Sequence, residues 1–165
     1  MSDKPKAEPI RPTINDVNRV FWDGCRRGEL LLQRCSHCGR LRYPAGAVCP
    51  DCLAAEAQWQ PVSGRGKLFS FVVFHRAYHP AWEGKVPYNV ALIELDEGPI
   101  MLSNVIATDD AKLAVGLPVA VAFERVDDSL SIPVFKPAPI AVHAVAALGP
   151  AQPRRKPRIL RTRCM

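Results

Sequence analysis

The sequence predicts a mainly β protein in two parts: a helix leading into a metal-bound ribbon, then a small five-stranded barrel. Three observations carry that expectation. Two C-x-x-C pairs, Cys35/Cys38 and Cys49/Cys52, stand ten residues apart. The 165 residues include sixteen prolines and ten glycines, which punctuate a chain into short strands and turns rather than long helices. Five short runs rich in β-branched and aromatic residues then follow between residues 67 and 135, the count expected of a small closed barrel.

Residues 1–12 are polar and proline-bearing and are expected to be disordered. Thr13 is placed to cap a helix, with Asp16 in the first turn, where its charge suits the helix N-terminus. Val17, Val20, Phe21 and Cys25 then recur at i, i+3, i+4 and i+8, one helical face, and Gly28 is a natural stop. Trp22 lies off that stripe. Residues 30–34 and 40–43 read as strands entering and leaving the first C-x-x-C, so residues 13–62 form the helix and ribbon. Gly64-Arg65-Gly66 reads as the tight bend that opens the barrel, expected over 63–138. Its strands are expected at 67–74, 88–95, 100–106, 119–126 and 130–135. Residues 139–165 are expected to be a flexible basic extension, with a short Ala-rich helix possible over 140–148.

The four paired cysteines can converge on one tetrahedral ion, because each C-x-x-C turns back so that both sulfurs face the same point. Gly39 follows the first pair, where a residue without Cβ eases a left-handed turn. Zinc is expected over iron, in a structural role, since four thiolates leave no position open for water. His37 is read as a solvent-facing residue between two ligands, and Cys25 as a small apolar residue of the helix. The start MSDKPKAEPIRP carries no hydrophobic signal segment, so a cytoplasmic location with free thiols is expected. No apolar run reaches the ~20 residues a membrane span requires.

The formal charge of +6 is confined to the end of the chain. Arg154, Arg155, Lys156, Arg158, Arg161 and Arg163 stand there without an acid, leaving residues 1–149 formally neutral. A single-stranded nucleic-acid binder is the alternative that ribbon, barrel and basic tail suggest, but the neutral body argues against it. No nucleophile motif, nucleotide loop or open metal site appears, so no catalytic residues are expected. His75 and His79 share a metal spacing, but they follow a strand and abut Pro80. Asp109-Asp110 and Asp127-Asp128 read as solvated turn residues.

The segments FWDG, GELLLQRCSHCG, YPAGAVCPDC, SGRGKLFSFVV and PYNVALIELDEG, in that order and spacing, resemble one family. It is the acyl-CoA-associated OB-fold proteins with an N-terminal rubredoxin-like zinc ribbon, and the likeness runs from about residue 14 to 138. The family's four zinc ligands fall on Cys35, Cys38, Cys49 and Cys52. Where members often carry Pro-Pro-Arg before the second cysteine pair, this chain has Pro44-Ala45-Gly46. The resemblance implies a non-catalytic partner of thiolase-like, aldolase or MaoC-like hydratase enzymes that helps form or bridge their acyl-CoA site. Under that reading Arg65, Lys67, Arg76 and Lys85 are the expected contacts for coenzyme A phosphates. Phe21, Trp22, Tyr78 and Trp82 are the expected contacts with the partner protein.

Overall fold

The computed structural model describes residues 10–139. Helix α1 spans Arg19–Arg27, later than the cap at Thr13 predicts. Two asparagines explain the delay. The Asn15 side-chain oxygen accepts from the N–H groups of Val17 and Asn18, and the Asn18 oxygen accepts from Asn15 N–H. These local turns compete with helix for the same donors. Val20 is correspondingly exposed, while Phe21, Gly24 and Cys25 face inward. Gly28 ends the helix in the left-handed region at φ 80°.

The ribbon is a three-stranded sheet in the order β2-β1-β3, built from β1 (Leu31–Cys35), β2 (Leu41–Arg42) and β3 (Ala57–Pro61). The third strand is not predicted by the sequence. It pairs antiparallel with β1 along its whole length, from Leu31 opposite Pro61 to Cys35 opposite Ala57. Arg42, 6% exposed, donates through Nε to Gln33 Oε1 at 2.8 Å and through Nη2 to Gly46 O at 2.8 Å. Those bonds anchor the loop that carries the chain into the second cysteine pair.

Five antiparallel strands follow: β4 (Arg65–Phe74), β5 (Tyr88–Leu95), β6 (Ile100–Ser103), β7 (Pro118–Arg125) and β8 (Ser131–Pro137). Their order is β6-β5-β4-β7-β8. A parallel bridge between Val105 and Phe135 joins the ends of that order and curls the sheet into a barrel. Arg65 and Gly66, read from sequence as part of a bend, are the first residues of β4. Gly64 alone turns, at φ 68°. Gly66 lies so close to the neighbouring strand that a Cβ would stand 2.4 Å from Glu94 O. The absence of a side chain is what lets β4 start inside the sheet. The predicted strand 100–106 stops at Ser103, because the chain turns away so that Asn104 O and Ile106 N–H make the closing bonds with Phe135. The helix expected over 140–148 lies outside the described residues.

One core serves both parts. Phe21 and Cys25 of α1 and Leu30 and Leu32 of the ribbon pack in the same cluster as Leu68, Ile93, Met101, Val119 and Phe135 of the barrel. Burial pushes the Cys25 thiol up to about 12. A raised thiol keeps its stabilising, neutral form below the unfolded value of ~8.5 and loses that contribution as pH climbs toward the folded one. Cys25 should therefore resist alkylation at pH 8 in the folded protein and react once it is unfolded. Mass spectrometry of iodoacetamide-treated samples checks this.

Candidate functional site

The two cysteine pairs lie on matching loops. Cys35 N–H donates to Arg40 O and Gly39 N–H to Cys35 O; in the second loop Cys49 N–H donates to Ala54 O and Leu53 N–H to Cys49 O. Leu53 therefore occupies the place that Gly39 fills in the first loop. Both are left-handed, Gly39 at φ 73° and Leu53 at φ 60°. A β-carbon in that region costs ~1–2 kcal/mol, and Leu53 is 75% exposed, so its side chain returns little packing. Leu53→Gly is expected to raise stability by up to about 1 kcal/mol, measurable by urea unfolding of the metal-loaded protein.

The four sulfurs lie within 4.8 Å of one another, with Cys35–Cys52 and Cys38–Cys49 each at 3.6 Å. A tetrahedral ion with metal–sulfur bonds of ~2.3 Å needs sulfurs ~3.8 Å apart, so the donor set fits such an ion closely. The backbone N–H groups of Asp51 and Cys52 pull Cys49 down to about 6. The N–H of Ala54 draws Cys52 downward, yet desolvation and the adjacent sulfurs push it up to about 12. Neighbouring basic side chains hold the loops in place. Arg40 pairs with Asp51 across the two knuckles, and Arg34 Nη1 donates to Gly39 O at 2.6 Å. His37 is exposed and stands outside the cluster. The four cysteines are the one group with metal-ligand geometry among the described residues.

A second feature opens on the barrel. Ile10, residues 81–89 and 104–110 and the far end of the β7–β8 hairpin line a half-open pocket of about 610 Å³. Its walls include Trp82, Val105, Ile106, Ile132 and Val134, and Lys85 is the one cation among its lining residues. Trp82 stacks on Tyr88 at 4.2 Å and Tyr88 on Phe74 at 5.2 Å, making a row of three parallel rings. Lys85 Nζ lies 5.7 Å from the Trp82 ring and the Arg76 guanidinium 6.0 Å from that of Tyr78, distances at which a cation is drawn to an aromatic face. His79 Nδ1 accepts from Ala81 N–H and caps the 3-10 turn Pro80–Trp82.

The residues singled out in the sequence divide between these features. The structure does not bring the four expected phosphate contacts together. Arg65 and Lys67 begin β4, whereas Arg76 and Lys85 lie past its far end, up to ~30 Å away at the rise of an extended strand. Lys67 is engaged by Glu94 at 3.0 Å. Phe21 is 4% exposed and belongs to the core, so it offers no surface to a partner. Trp22 is half-buried, edge-on to Phe21 at 4.9 Å. Tyr78 is 72% exposed and Trp82 half-buried in the loop beside the cavity.

Sequence reading missed the polar floor of that cavity. Asn89, 6% exposed, donates through Nδ2 to Val105 O at 2.8 Å and to Asp110 Oδ1 at 2.9 Å, and its Oδ1 accepts from Val105 N–H at 2.8 Å. The signal was present in β5, whose inward positions read Asn89, Ala91, Ile93 and Leu95: one polar residue in an apolar register.

Comparison with known proteins agrees with this architecture. Residues 22–56 match the ChsH2 rubredoxin-like zinc ribbon domain and residues 59–124 the ChsH2 C-terminal OB-fold domain. A probable enoyl-CoA hydratase alpha subunit of Thermomonospora curvata is 38% identical over 135 residues, 82% of this chain. The chain spans only 42% of that relative's length. A DUF35 domain-containing scaffold protein of Methanocaldococcus jannaschii is 30% identical, over 60% of this chain and 70% of its own. The solved structure of an Ltp2-ChsH2(DUF35) aldolase contains a chain of 36% identity that superposes with a TM-score of 0.70, covering 77% of this chain and 98% of that one. A ribbon of four converging cysteines joined through one core to a five-stranded barrel is thus the DUF35 architecture, and this chain belongs to the DUF35 family.

Proposed function

We propose that this chain is a non-catalytic accessory subunit that docks on a thiolase-like, aldolase or MaoC-like hydratase enzyme and helps form its acyl-CoA site. The observation that carries the reading is the pairing of this architecture, in its relatives, with enzymes of that chemistry: a hydratase alpha subunit and an Ltp2 aldolase complex. The scaffold naming of the archaeal relatives supports a role without catalysis. Zinc held by Cys35, Cys38, Cys49 and Cys52 supplies cross-linking of the ribbon and no open coordination position. Residues 13–62 act as the ribbon part and 63–138 as the barrel part of a cytoplasmic complex.

Within that complex the loop between β4 and β5 is the part that meets coenzyme A and the enzyme. The exposed ring of Tyr78, with half-buried Trp82 beside it, offers stacking area, and Arg76 and Lys85 offer charge to phosphate groups. Arg65 and Lys67 are too distant to share the same phosphates. The double variant Arg76→Ala/Lys85→Ala is expected to raise the assembled enzyme's KM for acyl-CoA by about tenfold, the scale of one or two lost charge-assisted bonds, with kcat little changed. Steady-state kinetics of the reconstituted complex measures it.

The role itself is tested by affinity capture of the tagged chain from its native host, after nuclease treatment and a moderate-salt wash. Recovery of a stoichiometric thiolase-like, aldolase or hydratase subunit is the expected result. Recovery of nucleic-acid-binding proteins alone would overturn the reading.

A further inference from the structure

The half-open pocket beside the β4–β5 loop has the wrong charge for a phosphate. Its lining carries three carboxylates, Asp109, Asp110 and Glu124, against the single cation Lys85. None of the three forms an ion pair among the described residues. Walls of low dielectric concentrate the field of such charges, so the pocket draws cations and repels anions.

Two of the acids are also held in position. One oxygen of Asp110 accepts from the buried amide of Asn89 at 2.9 Å, and one oxygen of Asp109 accepts from Ala111 N–H at 3.0 Å. The second oxygen of each takes no hydrogen bond among the described residues. An incoming cation therefore meets carboxylates that are already ordered, and binding loses less entropy in arranging them.

The rest of the lining selects among cations. Val105, Ile106, Ile132 and Val134 give apolar wall that a metal ion or ammonium ion has no use for. A long basic side chain uses both parts, laying its aliphatic stem on apolar surface and its charged head against carboxylates. Arginine adds a flat guanidinium that packs on aromatic rings, and Trp82 is among the lining residues. Tyr78, 72% exposed, stands in the same loop. Tyrosine, tryptophan and arginine are the residue types that anchor protein–protein contacts.

We propose that this pocket is the socket for an arginine or lysine side chain projected by the partner enzyme. The proposal rests on the accessory role above and adds the chemistry by which the two proteins hold each other.

The test uses the full-length, metal-loaded chain and the enzyme that co-purifies with it, separated and recombined. Asp109→Asn/Glu124→Gln keeps the size of both side chains and an acceptor for Ala111 N–H, so the fold should persist. It is expected to raise the dissociation constant for the enzyme by about tenfold at low salt and to flatten its salt dependence. Glu56→Gln/Asp96→Asn, the same change of net charge at two exposed positions outside the pocket, should alter it by less than about twofold. Glu124→Lys should weaken binding further, and exchange of one enzyme arginine or lysine for glutamate should restore it. Equal affinity for the Asp109→Asn/Glu124→Gln chain, equal weakening by the control pair, or failure of every charge exchange to restore binding would overturn the proposal while leaving the accessory role standing. A raised KM for acyl-CoA with the affinity for the enzyme unchanged would do the same, and would make the pocket a ligand site. If no enzyme co-purifies, the accessory role falls and the socket with it.

Discussion

Cys49→Ser is expected to unfold the ribbon and to weaken the barrel with it. Structural zinc sites in small modules carry ~10–16 kcal/mol of metal-binding free energy, most of which appears as folding free energy. The three ribbon strands contribute few buried apolar side chains of their own, Leu31, Leu32 and Cys35, so without the ion little holds β2 and β3 against β1. Because Leu30 and Leu32 belong to the same cluster as Ile93 and Phe135, the loss reaches the barrel. A loss of only ~3–5 kcal/mol from the shared core would lower Tm by ~6–20 °C at this size. Chelator added to the unaltered protein should reproduce the effect, and restored zinc should reverse it. Circular dichroism melts with and without chelator measure both. A melt insensitive to chelator and to Cys49→Ser would show that the four sulfurs bind no stabilising ion.

Phe135→Ala should be the most damaging change that touches no metal ligand. Phe135 is fully buried, and its backbone accepts from Ile106 N–H and donates to Asn104 O where the barrel closes. Removing a buried ring of this size costs ~3–5 kcal/mol, because the surrounding side chains collapse only partly into the space. Against a total stability of ~5–15 kcal/mol that is a large fraction, and urea unfolding should show a much lower midpoint. Phe135→Leu, which keeps most of the volume, should cost less than half as much. Equal losses from the two variants would mean that the shape of the aromatic ring, rather than the volume it fills, sets the stability there.

The fold was legible in the sequence where one local signal decided the outcome. The paired cysteines fixed the ribbon's ligands, because few other arrangements place two C-x-x-C turns so close together. The alternation in residues 88–95 fixed β5. Legibility failed where two local preferences competed or where a distant residue decided. Asn15 and Asn18 offered the backbone turns in place of the first helical bonds. The third ribbon strand, Ala57-Gln58-Trp59-Gln60-Pro61, has alternating but mostly polar side chains and a proline, and only its pairing with β1 makes it a strand. Gly66 looked like a turn residue, and the reason for its missing side chain was Glu94, 28 positions away and invisible to any local pattern.

The candidate site was read less completely for a similar reason. Basic residues near one another in a list are not near one another on a strand, and β4 carries Arg65 and Arg76 to its opposite ends. The aromatic row of Trp82, Tyr88 and Phe74 joins residues from a loop and two strands, and no spacing rule announces it. Asn89 was open to inspection as a polar residue in an inward register.

The single core of Phe21, Leu32 and Phe135 also bears on how such a chain can change over generations. Two modules joined by a free linker can be exchanged one at a time, each bringing its own finished interior. Here the helix and ribbon supply part of the barrel's interior, so a ribbon grafted from another lineage would arrive with mismatched contours. Substitutions on the two sides should therefore be inherited as matched sets, and recombination breakpoints between residues 35 and 65 should be rare among functional chimeras.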